Sequence, residues 1–429
     1  MTYDKLRSGV ALVMTLVLVV SVVPAGAIAQ DDGQEGDGAT TIDSCTTITE
    51  PGTYELAGDL TNATANATIL EFDGTRVTAC VVVAADDVVL NGGGNAVEGS
   101  TGDPVDTGVS IGSATADANV TNASGDANQT AATGQNETFS PDVGVAVLPL
   151  HDARANLTNV TVRNVSSTGW FGGVFASNVT GSTIAGVDAS GNAESGLILE
   201  NVTDTSVSDV RADDNAVFGV IAFSADDNAL SSVRAADNGF VGYFVAESHR
   251  TQFRNVTATN QSLAGMAFFN ATENVVSGLE VRNTAGDDPM LGPSAGLLFE
   301  NASDNFLTGV AASDNRNWTY HAANGSTDNV VLNLTADDRQ LSFVATDVAV
   351  RFDRNATGGV GTPFVAVDTG ENASILVDVN WSSTGAPTGA AENETLEAGD
   401  NLTDAEAANA TGDGAVEPAN ATAGNETAT

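Results

Sequence analysis

Asp204, Asp227, Arg250 and Glu273 follow one another at a constant step of 23 residues, and Asp214 and Asp237 are related by the same step. In a chain folded into stacked coils, residues of one phase become neighbours about 4.8 Å apart. Carboxylates at about that separation are the geometry retaining glycosidases use, and similar clusters hold calcium. Asp204, Asp227, Asp214, Asp237 and Arg250 are therefore the candidate catalytic residues. Arg211 and Arg234 also share a phase, and two stacked guanidinium groups can grip a carboxylate or sulfate of an acidic polysaccharide. The competing reading is a solvated surface. With 56 acidic residues in the chain, neighbouring pairs arise without selection, and these pairs are followed at once by Asn or small turn residues. No nucleophile, base and orienting group stand together, so the chain is read as non-catalytic.

A different phase is apolar throughout. Phe175, Ile198, Ile221, Phe244, Ala267 and Leu298 lie between inward positions and should form an outward stripe, widened by Phe223 and Phe269. Stripes of this kind are covered within the chain, mediate association with a protein partner, or stack sugar rings. Phe175, Phe244, Ile198 and Ile221, with Arg211 and Arg234, are the candidate binding residues. No metal is expected, apart from calcium at the acidic pairs. His151 and His249 fall four coils apart, about 19 Å, which is too far to share one ion. Met266 falls in an inward column.

The elements that would position these groups follow from the same period. Gly173, Gly196, Gly219, Gly242 and Gly265 keep the 23-residue step, as do the apolar columns Ile184, Val207, Leu230, Phe253, Val276 and Val187, Val210, Val233, Val256, Leu279. Leu197 and Leu199, with their equivalents one and two coils on, alternate like a strand. Asn192, Asn215 and Asn238, continued by Gln261, form a polar column suited to bends, and Asn228 and Asn274 alternate with Thr205 and Thr251 in another. A repeat of this length means a solenoid. Residues 230–238 match a leucine-rich pattern, yet β-forming segments opened by glycine follow where a convex helix is needed. The expectation is an all-β, right-handed parallel β-helix of about 23 residues per coil.

Residues 85–99, ADDVVLNGGGNAVEG, resemble the opening coil of secreted β-helix proteins of the NosD-like and carbohydrate-active (pectin-lyase-like) group. Residues 45–56, CTTITEPGTYEL, are similar to the segment that begins such proteins in haloarchaea. The resemblance extends over about residues 45–334 and implies the fold. It leaves activity open, since the fold hosts lyases, hydrolases, adhesins and assembly factors. Lyases of this fold use a basic residue near calcium or a charged sugar; beyond residue 29 the chain has arginines and no lysine. The NosD resemblance implies copper, which His151, His249, His321, Met266 and Met290 do not assemble to bind.

Composition bounds the rest. The chain has 429 residues, 14 Lys plus Arg against 56 Asp plus Glu, and a net charge of -42, which excludes a phosphate-tracking nucleic-acid binder. In molar salt the screening length is roughly 3 Å, so this acidity suits a salt-adapted protein. Lys5 and Arg7, an apolar run at 10–23 and Ala27-Ile28-Ala29 form a secretory signal over residues 1–29, with no membrane span in the mature chain. In an exported chain, Cys45 and Cys80 read as a disulfide. An acidic linker at 30–41 precedes the β-helix at 42–340, with a loop insertion at 113–142. A small β cap at 341–381 and a disordered acidic tail at 382–429 follow. Asn119, Asn122, Asn128, Asn136, Asn393 and Asn401, in the loop and tail, are the glycosylation candidates. The sequence thus reads as a secreted or cell-surface scaffold with weak carbohydrate binding, its partner a polysaccharide or cell-surface glycan. A polysaccharide lyase or glycosidase is the alternative, and a NosD-like assembly factor without an evident copper site is the third.

Overall fold

The computed structural model describes residues 38–72, 75–99, 142–150, 156–286, 294–336, 340–344, 347–352, 364–368 and 374–378. The expected signal, acidic linker before residue 38, most of the loop insertion and the tail lie outside them. The described chain is a right-handed parallel β-helix. Two long sheets run its length, with 15 and 14 strands, and a third of 3 strands closes the N-terminal coils.

A single coil shows how the sequence builds this. Ser195–Thr203 lies in the 14-stranded sheet, here called sheet 2, and Ser206–Ser208 in the 15-stranded sheet 1. The third side is a bridge at Arg211, which pairs with Asp188 before it and Arg234 after it. The chain then returns to sheet 2 at Phe218–Phe223. Register is held at one coil: Leu197 pairs with Val220, Val220 with Tyr243, Tyr243 with Met266, and Met266 with Leu297. Every apolar column expected to face inward joins one continuous core.

The buried amide columns stack as well. Asn238 Oδ1 accepts from the backbone N–H and the Nδ2 of Asn215, at 3.0 and 3.1 Å, while Asn238 Nδ2 donates to the Ala212 carbonyl at 3.0 Å. A ladder of this kind satisfies backbone groups at the bend, which burial would otherwise leave unpaired. The constant glycine follows from it. A Cβ on Gly219 would stand 2.7 Å from Asn238 Nδ2, 2.6 Å from the Ala235 Cβ and 2.8 Å from the Gly242 carbonyl. Gly219 and Val220 therefore both face the interior, and the residue before the glycine is turned outward.

At the N-terminal end Cys45 and Cys80 are bonded, joining neighbouring strands of sheet 2 across 35 residues. Closure of such a loop contributes roughly 3–4 kcal/mol. At the other end Gln340–Val344 and Asp347–Phe352 pair in parallel with sheets 2 and 1. Stacking therefore runs past residue 340, where a separate cap was expected to begin. The spacing changes there: Tyr320 pairs with Leu341, a step of 21 instead of 23, which hides this coil from a periodic reading. Phe364–Asp368 and Ser374–Asp378 then add antiparallel strands to sheets 1 and 2. They cover edge backbone that would otherwise be open to further pairing.

Candidate functional site

The expected carboxylate columns sit at corners of the coil. Asp204, Asp227, Arg250 and Glu273 have φ of 51, 57, 53 and 59°, and Asp214 and Asp237 both have 56°. Asp tolerates this left-handed conformation better than most residues because its short polar side chain bonds locally. The corner geometry accounts for Asp at these phases without reference to a substrate. Arg250 grips Asp227 in two-point fashion, Nε to Oδ1 at 2.8 Å and Nη2 to Oδ2 at 2.7 Å, and stands 3.8 Å from Asp226. Hydrogen bonding from Arg250 holds the Asp227 carboxyl below its ordinary range, which suits a fixed ion-pair partner better than a proton-transferring base. Asp237 Oδ1 accepts from Asn260 Nδ2 at 2.5 Å.

Arg211 and Arg234 are brought together by Asp213, which the periodic reading did not single out. Asp213 is fully buried. Its Oδ2 accepts from Arg211 Nε at 2.5 Å and from Arg234 Nη1, and its Oδ1 accepts the Ala236 N–H at 2.7 Å. The two guanidinium groups thus share an internal counter-ion, with about half of each arginine side chain still exposed.

The apolar stripe does lie on the outer side of sheet 2, in two clusters separate from the core. It departs from the expected open surface: Phe244 is 5% and Ile221 8% exposed, and of the four apolar binding candidates only Ile198 stays half-buried. The physical reason is the glycine column, which turns the preceding residue outward. Phe218 packs on Phe244 with ring centroids 5.3 Å apart and edge-on against Phe240 at 5.9 Å, while Phe244 meets Phe269 at 5.2 Å. These rings shield one another along the face.

Carboxyl groups border that plate. Glu194 is buried, accepts from the Ser195 hydroxyl at 2.8 Å, and is pushed up to about 7 by burial. Glu200 accepts from Ser177 Oγ at 3.2 Å and is likewise raised by burial to about 7. Glu300, at the far side, is raised by burial and hydrogen-bonded by Asn324. The sequence held a signal for them: Glu194 shares a phase with Val217, Phe240 and Leu263, and Glu200 with Phe223 and Phe269.

Copper donors do not converge. His249 Nδ1 is 2.8 Å from Thr272 Oγ1, and burial lowers His321 to about 4. These two histidines lie three coils apart, about 14 Å. Met266 is in the core and both cysteines are in the disulfide. Among the described residues no three His, Cys, Asp or Glu side chains could hold one ion. His151 and Met290 lie outside the described residues. No described helix is long and apolar enough to cross a membrane.

No curated protein matches the chain. Solved β-helix structures are similar at low identity. The Azotobacter vinelandii mannuronan C-5 epimerase AlgE4 A-module has TM-score 0.40 and 10% identity, over 70% of this chain and 87% of that one. An Acinetobacter phage tailspike has 0.47 and 12%, over 85% and 62%, and a Thermotoga maritima exopolygalacturonase has 0.36 and 11%, over 80% and 85%. The family profile described as periplasmic copper-binding protein (NosD) matches residues 171–360, and over these residues the chain is similar to that family.

Proposed function

We propose that the chain is an exported β-helix scaffold that binds polysaccharide weakly and performs no chemistry on it. The observation that carries this reading is the outer face of sheet 2. Its rings form a long apolar plate, with Ile198, Phe269 and Trp318 half-exposed along it. Glu200 and Glu300 supply polar rims. An apolar platform with a few polar groups at its margin is what a sugar ring needs for stacking and orientation. The corner carboxylates support the non-catalytic part, because Asp227 and Arg250 neutralise each other and the other corners serve the backbone.

The test is retention of the mature protein on a panel of polysaccharides in molar salt, with and without calcium, together with assay of the soluble fraction for cleavage products. Binding without products is expected, with Phe269→Ala weakening retention about threefold to tenfold, as loss of one stacking contact implies. Products that disappear in Asp227→Asn would establish the enzyme reading instead. Retention by none of the polysaccharides would remove the carbohydrate part.

A further inference from the structure

The corners separate into two populations. Among the described residues, 25 residues other than glycine have φ in the left-handed region, and 11 of these are asparagine. Ten of the eleven are followed two positions on by Ser or Thr, with no proline between. Five line one corner of the solenoid, where sheet 2 ends: Asn178, Asn201, Asn270, Asn301 and Asn324. The others are Asn62, Asn159, Asn164, Asn255 and Asn260. The exception is Asn283, followed by Thr and Ala. The remaining 14 corner residues, that is 25 less 11, are Asp, Ser, Glu or Arg, and only Asp204 has Ser or Thr two positions on.

Backbone geometry does not account for this. Asp and Asn corners have the same range of φ, and in three corner columns they stand at the same place in the coil, as Asn159 with Asp204, Asn255 with Asp209 and Asn260 with Asp237, so a hydroxyl needed by the turn would follow both. Within one column the coupling is direct. Thr180, Thr203, Thr272 and Ser303 accompany Asn178, Asn201, Asn270 and Asn301, whereas Asp226 and His249 accompany Ser224 and Glu247. What tracks the hydroxyl is the amide side chain, which is the definition of the N-x-S/T acceptor. Exposure agrees. Nine of the ten asparagines are exposed and Asn178 is half-buried, while among the described residues none of the eight buried asparagines is followed two on by Ser or Thr.

We infer that the corner asparagines of the β-helix are sites of N-linked glycosylation. In the transfer, Asn Nδ2 attacks the anomeric carbon of a sugar carried on a lipid diphosphate. The new C–N bond forms as the C–O bond to phosphate breaks; the diphosphate departs with the bonding pair, and the amide nitrogen loses one proton. The corner ladders tolerate the product. Asn201 Nδ2 donates to Asn178 Oδ1 at 2.5 Å and Asn301 Nδ2 to Asn270 Oδ1 at 2.7 Å, and a glycosylated amide keeps one N–H for that bond. Sugars on Asn178, Asn201, Asn270, Asn301 and Asn324 would form a row along one edge of sheet 2.

The inference rests on export of the chain, so the experiment reads both. Protein is recovered from the medium and the cell envelope of the native host, its N-terminus determined, and its peptides mapped by mass spectrometry with fragmentation that preserves the sugar. Expected are a processed N-terminus, sugar mass on the corner sequons, and none on Asn283. Thr203→Val keeps the Asn201 corner and should abolish modification at Asn201 alone. Bare corners in a processed, exported chain would overturn glycosylation and leave export standing. Sugar on Asn201 that survives Thr203→Val, or equal modification of Asn283, would overturn the sequon assignment. A retained, unprocessed chain with bare corners would overturn both readings.

Discussion

Glu194 is the residue whose environment has the clearest consequence in solution. Its carboxyl is enclosed beside Ser195, and burial raises it from 4.5 to about 7, the hydrogen bond opposing only part of the shift. A folded pKa above the unfolded one means the folded chain holds the proton more tightly. The associated stability is fully present below the unfolded pKa and is lost as pH rises through about 7. Glu200 acts in the same direction. Glu194→Gln keeps the hydrogen-bonding shape without the charge. It should stabilise the protein by about 1–3 kcal/mol at about pH 8 and change little at about pH 4.5. Denaturant titrations in molar salt at the two pH values check this. If wild type and variant lose the same stability between them, burial of Glu194 is not the cause. The fully buried Asp213 differs in having two arginines and a backbone N–H directed at it, so its oxygens are satisfied within the fold.

At the scale of the coil, the glycine and amide columns hold each other in place. Gly219→Ala puts a methyl group where Asn238, Ala235 and the next coil's carbonyl already stand within 2.6–2.8 Å. The expected loss is about 1–3 kcal/mol, as for overpacking in a close-packed core. Hydrogen exchange should show it as faster opening at the Phe218–Phe223 and Val241–Ala246 strands, with less effect on coils further away, because solenoid stability is carried between neighbours. Uniform acceleration from the first strand to the last would contradict that local picture. The columns were legible because each is a sum over coils: Ile184 or Asn215 alone indicates nothing, whereas four or five residues of like character at one phase define an inward face. Corners were visible as polar phases, but their left-handed backbone was not, so Asp204 and Asp227 read as stacked carboxylates. Asp213 and Glu194 were missed for the opposite reason, since each occurs in one coil only and a period averages it away. Burial of the stripe depended on a detail no pattern carries: the glycine places two successive residues inside, turning Phe218 out beside Phe244. The added coil at Gln340–Val344 was hidden by its change of step.

At the scale of the whole molecule, like charges stack along two of the corner columns. Asp204 lies over Asp227, Asp214 over Asp237, and Glu273, Asp304 and Asp328 follow in one column, in a chain of net charge -42. Two unit charges about 5 Å apart in water repel by about 0.8 kcal/mol. At about 0.01 M salt, with a screening length of about 30 Å, most of this remains; at about 1 M and 3 Å roughly a fifth does. These four stacked pairs alone therefore cost about 2 kcal/mol more in dilute buffer, before longer-range repulsion is added. Arg250 interrupts its column by binding Asp227 below Glu273. Dilution from molar to about 10 mM monovalent salt should thus remove several kcal/mol of stability and bring unfolding into the low-salt range. Arg250→Glu, which makes the column continuous, should move the salt midpoint upward. Circular dichroism across a chloride series gives the midpoint. The same series repeated with sucrose at low ionic strength separates screening from solvent exclusion. Rescue by sucrose as complete as that by salt, or an unchanged midpoint in Arg250→Glu, would show that corner repulsion does not set the salt requirement.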